Sequence, residues 1–205
     1  MTTQQFLITS GERGLRALAQ RVNVLDSNAL ARLRTVSGGV DVFFSTPFGV
    51  LASRRVTGTV SVEGLVVKAS ELFDAPLTPL SPAAWQQGAL PPKEGFVLVD
   101  EVPADVVYRL NIQGKELAQQ FSGPLGPPQS LLNQKVLTVE GNGERAEVPM
   151  RVIFCLSSLG LIPRFDAAIE VPRHIRVSKV GRWVRVDAPF GSVYFSEELN
   201  VLSFI

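Results

Sequence analysis

Apolar and polar positions alternate along much of this chain. Val40, Val42 and Phe44 alternate, Pro47-Phe48-Gly49 makes a turn, and Val50 to Val56 returns as a partner strand, the pattern of a half-buried hairpin. Val22 and Val24 alternate with polar neighbours in the same way, and Asp26 or Ser27 then caps a short helix in which Leu30 and Leu33 share a face. Val60 and Val62 lead to a Glu63-Gly64 turn, Leu65 to Ala69 runs back, and Ser70 caps a helix holding Leu72 and Phe73. Residues 21–75 therefore read as strands with short helices between them.

Residues 76–95 differ in character. Pro76, Pro79, Pro82, Pro91 and Pro92 remove backbone donors and fix φ, so neither a helix nor a central strand persists there. This is a connector, with Trp85 as its anchor on the domain surface. Phe96 to Val99 reads as a strand, and Pro103 opens the longest helix, with Val106, Leu110, Leu117 and Phe121 at near-helical spacing. Gly123-Pro124-Leu125-Gly126-Pro127-Pro128 ends that helix, and a helical turn at Ser130 to Gln134 precedes Val136 to Val139. Gly141-Asn142-Gly143 supplies the positive φ values of a tight reversal, which pairs Arg145 to Val148 with that strand. Pro149 restarts helix, with Val152, Ile153, Leu156 and Leu159 inward and Gly160 as the stop. The last third reads as strands at 174–179, 182–188, 191–196 and Leu199 to Ile205.

The pattern predicts an α+β fold: antiparallel sheets of several hairpins with about three to five helices. The chain reads as one α+β unit over 1–205, and the alternative division is into two subdomains, 1–75 and 96–205, joined by the Pro-rich connector 76–95. There is also an internal echo: Thr46-Pro47-Phe48-Gly49 matches Ala188-Pro189-Phe190-Gly191, each between alternating apolar strands. It predicts the same backbone conformation for both turns.

Of 205 residues, 45% are hydrophobic and 19% charged, a balance that offsets chain entropy by burial and excludes extended disorder. Twenty Lys and Arg against 19 Asp and Glu leave no global field toward nucleic acid or an anionic membrane, so such binding needs a local patch. The N-terminus has no basic region and Phe6-Leu7-Ile8 is too short for a signal peptide core. No apolar run approaches the ~18 residues of a membrane span. With one cysteine, Cys155, no intramolecular disulfide closes. The expectation is a cytoplasmic protein.

Catalytic inventory is thin. His174 is the only histidine, so any Ser/His/Asp or Cys/His arrangement depends on it. Cys155 falls on the apolar side of a helix, where a free thiol serves as a small hydrophobe. Zinc needs several Cys or His at defined spacing, and no phosphate-binding loop or dinucleotide fingerprint is present, so no metal or cofactor is expected. Segment 173–185 is the one charge feature. Arg173, His174, Arg176, Lys179, Arg182, Trp183 and Arg185 form a candidate binding surface, with Trp183 and Arg185 on one strand face and Val184 and Val186 on the other.

These observations point first to a non-enzymatic binding or scaffolding protein with a protein partner or a second copy of itself. The apolar run Leu199 to Ile205 is the expected edge strand of a homo-oligomer contact. Nucleic-acid binding through the basic hairpin is the second reading, and a small-molecule enzyme with a dispersed acidic and arginine site the third. Gly123-Pro124-Leu125-Gly126-Pro127-Pro128-Gln129-Ser130-Leu131-Leu132-Asn133-Gln134 with Val136-Leu137-Thr138-Val139, and Arg182-Trp183-Val184-Arg185-Val186-Asp187-Ala188-Pro189-Phe190-Gly191, resemble segments of a conserved, uncharacterised actinobacterial protein family. That resemblance implies a cytoplasmic bacterial setting and no reaction chemistry.

Overall fold

The computed structural model describes residues 5–121, 127–163 and 170–197. After β1 (Phe6–Ser10), apolar residues at i, i+3, i+4 and i+7 make α1 (Glu12–Leu25), which buries Leu15, Leu18, Ala19 and Val22. The expected strand at Val22 and Val24 is thus the last turn of a helix, and Val24 faces solvent. The expected short helix after Asp26 is instead β2 (Leu30–Val36), with Ala31 and Leu33 fully buried. Flanking strands decide this: β2 pairs with β3 (Gly39–Phe44) on one side and with β5 (Val66–Lys68) on the other. Between them in sequence lies β4 (Leu51–Val60), whose second half also pairs with β1. Leu65 to Ala69 therefore does not fold back on its neighbour β4, because β2 offers it a buried edge.

The connector leads to β6 (Val97–Pro103) and the 18-residue α2 (Ala104–Phe121). Gly114 lets α2 press on the helix that begins at Met150: a Cβ there would lie 2.6 Å from Met150 Sδ. Then follow α3 (Gln129–Asn133), β7 (Lys135–Gly141), β8 (Glu144–Pro149) and α4 (Met150–Ser158). Asn142 and Gly143, at φ 52° and 77°, make the tight β7–β8 reversal. Finally β9 (His174–Val180), β10 (Trp183–Ala188) and β11 (Gly191–Ser196) complete an α+β fold of antiparallel sheets, with four α-helices among the described residues. The run Leu199 to Ile205 lies outside the described residues.

A single nine-stranded sheet has the order β5-β2-β3-β4-β11-β10-β9-β6, with β1 alongside β4. Its midpoint is the β4/β11 seam, where Ser53, Ala52 and Leu51 face Ser192, Val193 and Tyr194. About that seam the order α1-β2-β3-β4 is mirrored by α4-β9-β10-β11. One row of paired side chains, Val67, Ala31, Phe44, Ala52, Val193, Val186 and Val177, crosses the seven strands from β5 to β9 at 0% exposure. α1 and α4 cover this face and meet at the seam, where Arg21 donates to the Leu159 carbonyl at 3.2 Å.

The two Pro-Phe-Gly turns do not share a conformation. Gly49 sits in the left-handed region at φ 69°, in a wide loop between Phe44 and Leu51, whereas Gly191 is near-extended at φ 155° and pairs directly with Ala188. The difference is one of loop length, since only the second turn closes on the two residues Pro189 and Phe190.

The opposite face carries Phe43, Leu51, Val66 and Tyr194, and the connector lies over it with Trp85 packed among them at 6% exposure. Arg34 donates to the Pro91 carbonyl, and Lys93 donates to the Thr35 carbonyl at 2.9 Å. The Pro91 carbonyl has no partner in a regular ladder and is satisfied by Arg34 from the sheet, while Lys93 ties the connector back to a strand carbonyl of β2.

Candidate functional site

A cleft of about 320 Å³ opens where the β3–β4 turn meets the start of α4. Its walls come from four places in the sequence. The β3–β4 turn supplies Gly49 to Leu51, and the seam strand β11 supplies Tyr194 to Ser196. Trp183 opens β10 and pairs with Ser196 across the hairpin. Lys135 and Arg151 provide charge, with Asn133 and the connector's Gln87 at the rim.

The β7–β8 hairpin brings the two cations together. Lys135 pairs with Pro149, and Arg151 follows two residues later on the first turn of α4. Neither cation meets a carboxylate among the described residues, and no acidic residue lines the cleft. Gly49 sets the position of Arg151: its φ of 69° favours glycine, and a Cβ there would sit 3.1 Å from the guanidinium. The N-cap of α4 is Pro149, without a side-chain cap, so the helix dipole adds positive potential at the same rim.

Aromatic side chains stiffen the base. Tyr194 meets Phe43 edge-on at 5.5 Å and Phe96 at 5.9 Å. Burial raises the Tyr194 phenol above its ordinary pKa, so it remains a neutral donor, although the Arg185 charge acts the other way. Beneath the turn, Cys155 is fully buried and its thiol is pushed up to about 12 by desolvation. In the folded protein, Ellman's reagent at pH 8 is expected to release no thionitrobenzoate, and one equivalent after denaturation. Rapid reaction of the native protein would contradict the burial.

The candidate surface 173–185 is dispersed by the fold. His174 and Arg176 lie on the connector face of the sheet, where both approach Glu101, at 3.8 and 3.3 Å. Lys179 points to the other face, 2.8 Å from Glu197 and bonded to the Arg145 carbonyl at 2.7 Å. Arg185 pairs with Asp187 at 2.8 Å and lies 4.7 Å over the Phe96 ring. Arg182 is exposed in the β9–β10 turn, and Arg173, just before β9, accepts at its carbonyl from Ala104 N–H at 2.9 Å. Trp183 and Arg185 do share a face, opposite Val184 and Val186. Of the seven, only Trp183 lines the cleft.

A second concavity of about 260 Å³ crosses the seam on the connector face, lined by Asp41, Arg55, Arg185, Asp187, Ser192 and Tyr194 among others. Its charges cancel in pairs: Arg55 holds Asp41 bidentately at 2.6 and 3.1 Å, and Arg185 pairs with Asp187 at 2.8 Å, where Ser192 also donates at 2.6 Å. That arrangement fastens strands together and leaves no charge for a ligand. Among the described residues no cluster of three His, Cys, Asp or Glu side chains is placed to hold a metal ion, and no helix is long and apolar enough to cross a membrane.

Lys135, Asn133 and Arg151 were not singled out as a site by the sequence, yet a signal existed. Counting register outward from the Gly141/Glu144 pair places Lys135 opposite Met150, and one bulge moves it to Pro149. The hairpin signature therefore implied that the lysine and Arg151 are neighbours.

Among solved structures, the fold is similar to the DNA polymerase sliding clamp of Pseudomonas aeruginosa, determined with ligand, at a TM-score of 0.54 and 13% identity over 97% of this chain and 65% of that one. It is also similar to the DnaN sliding clamp, DNA polymerase III subunit beta, of Bartonella birtlesii bound to griselimycin (TM-score 0.53, 12% identity, 96% of this chain and 65% of that chain). For the Bacillus subtilis sliding clamp the values are 0.52 and 12%, over 100% of this chain and 68% of that one. At such identities the likeness is one of fold, and the chain spans about two thirds of the clamps' length. No curated protein matches the chain. Residues 1–89 match the model of a domain of unknown function, DUF8010, and residues 91–200, more than half of the chain, match that of a second, DUF8185; the chain belongs to the DUF8185 family.

Proposed function

We propose that this chain is a non-enzymatic binding protein whose contact site is the cleft at the β3–β4 turn, and that it seats an acidic segment of a protein partner there. The observation that carries this reading is the pair Lys135 and Arg151, two cations without carboxylate partners among the described residues, on a cleft that no acidic residue lines. Two cations without carboxylate partners among the described residues, beside the half-buried Trp183, favour an anionic, partly apolar occupant, because a partner's carboxylates complete ion pairs that the described residues leave open. The sliding-clamp-like fold supports a protein that works by contact. One of those clamps was determined bound to griselimycin. We further propose that the stretches on either side of the connector are two subdomains fused through the β4/β11 seam.

The test is fluorescence anisotropy with a labelled glutamate-rich dodecapeptide. Arg151→Glu and Lys135→Glu each weaken binding by about tenfold, roughly 1.4 kcal/mol, with little change in melting temperature because both side chains are at least partly exposed. Gly49→Ala weakens it as well, by displacing the guanidinium. Unchanged affinity in the double charge reversal would sink the reading.

Nucleic-acid binding through Arg173, His174, Arg176, Lys179, Arg182, Trp183 and Arg185 draws less support. Glu101, Glu197 and Asp187 already engage four of these side chains, so fewer charges remain for phosphates. Binding that falls steeply with salt is its signature, and a gel shift with no low-salt complex retires it.

A further inference from the structure

The cationic cleft does not end at Asn133. That residue, the last of α3, lines both the cleft and a more open channel of about 670 Å³ between α3 and the C-terminal turns of α2. The channel changes the chemistry. Its apolar lining is Leu117, Phe121, Pro128 and Leu131, and no charged residue contributes to it among the described residues. Phe121 is 66% exposed and Leu117 37%. Leu117 lies beside the buried stripe of α2 through Val107, Asn111 and Gly114, and Phe121 lies two turns beyond Gly114, past the contact with Met150 and Phe154 of α4.

We infer that cleft and channel form one bipartite groove, and that its occupant is a partner segment joining acidic residues to a large apolar side chain. The first half of this inference rests on the reading above; the apolar extension is new. The acidic part sits on Lys135 and Arg151, and the apolar side chain enters the channel against Leu117, Phe121 and Leu131. Asn133 stands between the two, its exposed amide carrying both a donor and an acceptor for the backbone of an extended segment. Each half alone offers modest contact, and linking the two in one segment makes the second contact intramolecular. Continuity at Asn133, with cations unpaired among the described residues on one side and exposed apolar side chains on the other, is what selects a segment of mixed character.

The experiment pans a phage-displayed library of random dodecapeptides on the full chain, on Leu117→Ser/Phe121→Ser and on Lys135→Glu/Arg151→Glu. The expected consensus on the unmodified protein is an acidic cluster at fixed spacing from one Leu, Phe or Trp. On Leu117→Ser/Phe121→Ser the acidic cluster persists, the apolar position is lost, and the synthetic consensus peptide binds at least about tenfold more weakly. Both side chains are partly exposed, so the melting temperature of this variant reports whether its fold is intact. A consensus without a fixed apolar position, or one unchanged by the two serines, overturns the channel and leaves the cationic cleft standing. If no consensus emerges, or the same one emerges on the charge-reversed variant, the cleft reading falls and the inference with it. Self-association that the two serines abolish, with peptide selection unaltered, assigns the channel to a second copy of the chain and also overturns the inference.

Discussion

Asp41→Ala lowers the free energy of unfolding by about 3–5 kcal/mol, because it leaves a buried guanidinium without its counter-ion. The Asp41 carboxylate is 4% exposed and holds Arg34, itself 7% exposed, at 3.2 Å, together with the more exposed Arg55. After the substitution Arg34 keeps its bond to the Pro91 carbonyl and its place 4.6 Å over the Phe43 ring, neither of which neutralises its charge. The cost also reaches the connector, since Arg34 is one of its fastenings, and Trp85 fluorescence should shift before global unfolding. Adding Arg34→Met to Asp41→Ala recovers much of the loss, as two apolar side chains leave no buried charge. Urea denaturation measures both variants, and an Asp41→Ala protein within about 1 kcal/mol of the parent contradicts the network's role.

Phe44→Ala is the second large effect, with an expected loss of about 3–5 kcal/mol. Phe44 is fully buried in the row that crosses the sheet, and its immediate cross-strand neighbours are Ala31 and Ala52. Two alanines cannot expand into the space a phenyl ring vacates, so the cavity persists and the cost falls toward the upper end of the range. Phe44→Leu retains most of the volume and loses only about 1–1.5 kcal/mol. The row continues through Val193 and Val186, so Trp183 on the far side of the seam should report the same shifted transition as Trp85. A loss below about 1.5 kcal/mol for Phe44→Ala, or separate transitions at the two tryptophans, would contradict a shared core.

The candidate site was less legible than the fold. Its cations are separated by 15 intervening residues, and the sequence marks neither as special, whereas the conspicuous basic strip 173–185 is largely neutralised by Glu101, Glu197 and Asp187. Charge clustering along a sequence says nothing of which acids a sheet will bring opposite. Those partners lie on β6, on β10 itself and just beyond β11, and strand pairing alone places them.

Local chemistry determined what could be read from the chain by itself. Positive-φ residues fixed the β7–β8 reversal, alternation fixed β3, β4 and the last three strands, prolines fixed the connector, and apolar spacing fixed α4. The tertiary structure decided whatever depended on a distant partner. Leu30 to Val36 is a strand because β3 and β5 flank it, and the two halves share one sheet because β4 offers β11 an edge. The cleft exists because that seam, the start of α4 and the β7–β8 pairing converge. Backbone hydrogen bonds and burial between segments more than a hundred residues apart leave no periodicity within either one, so neither segment alone encodes the meeting.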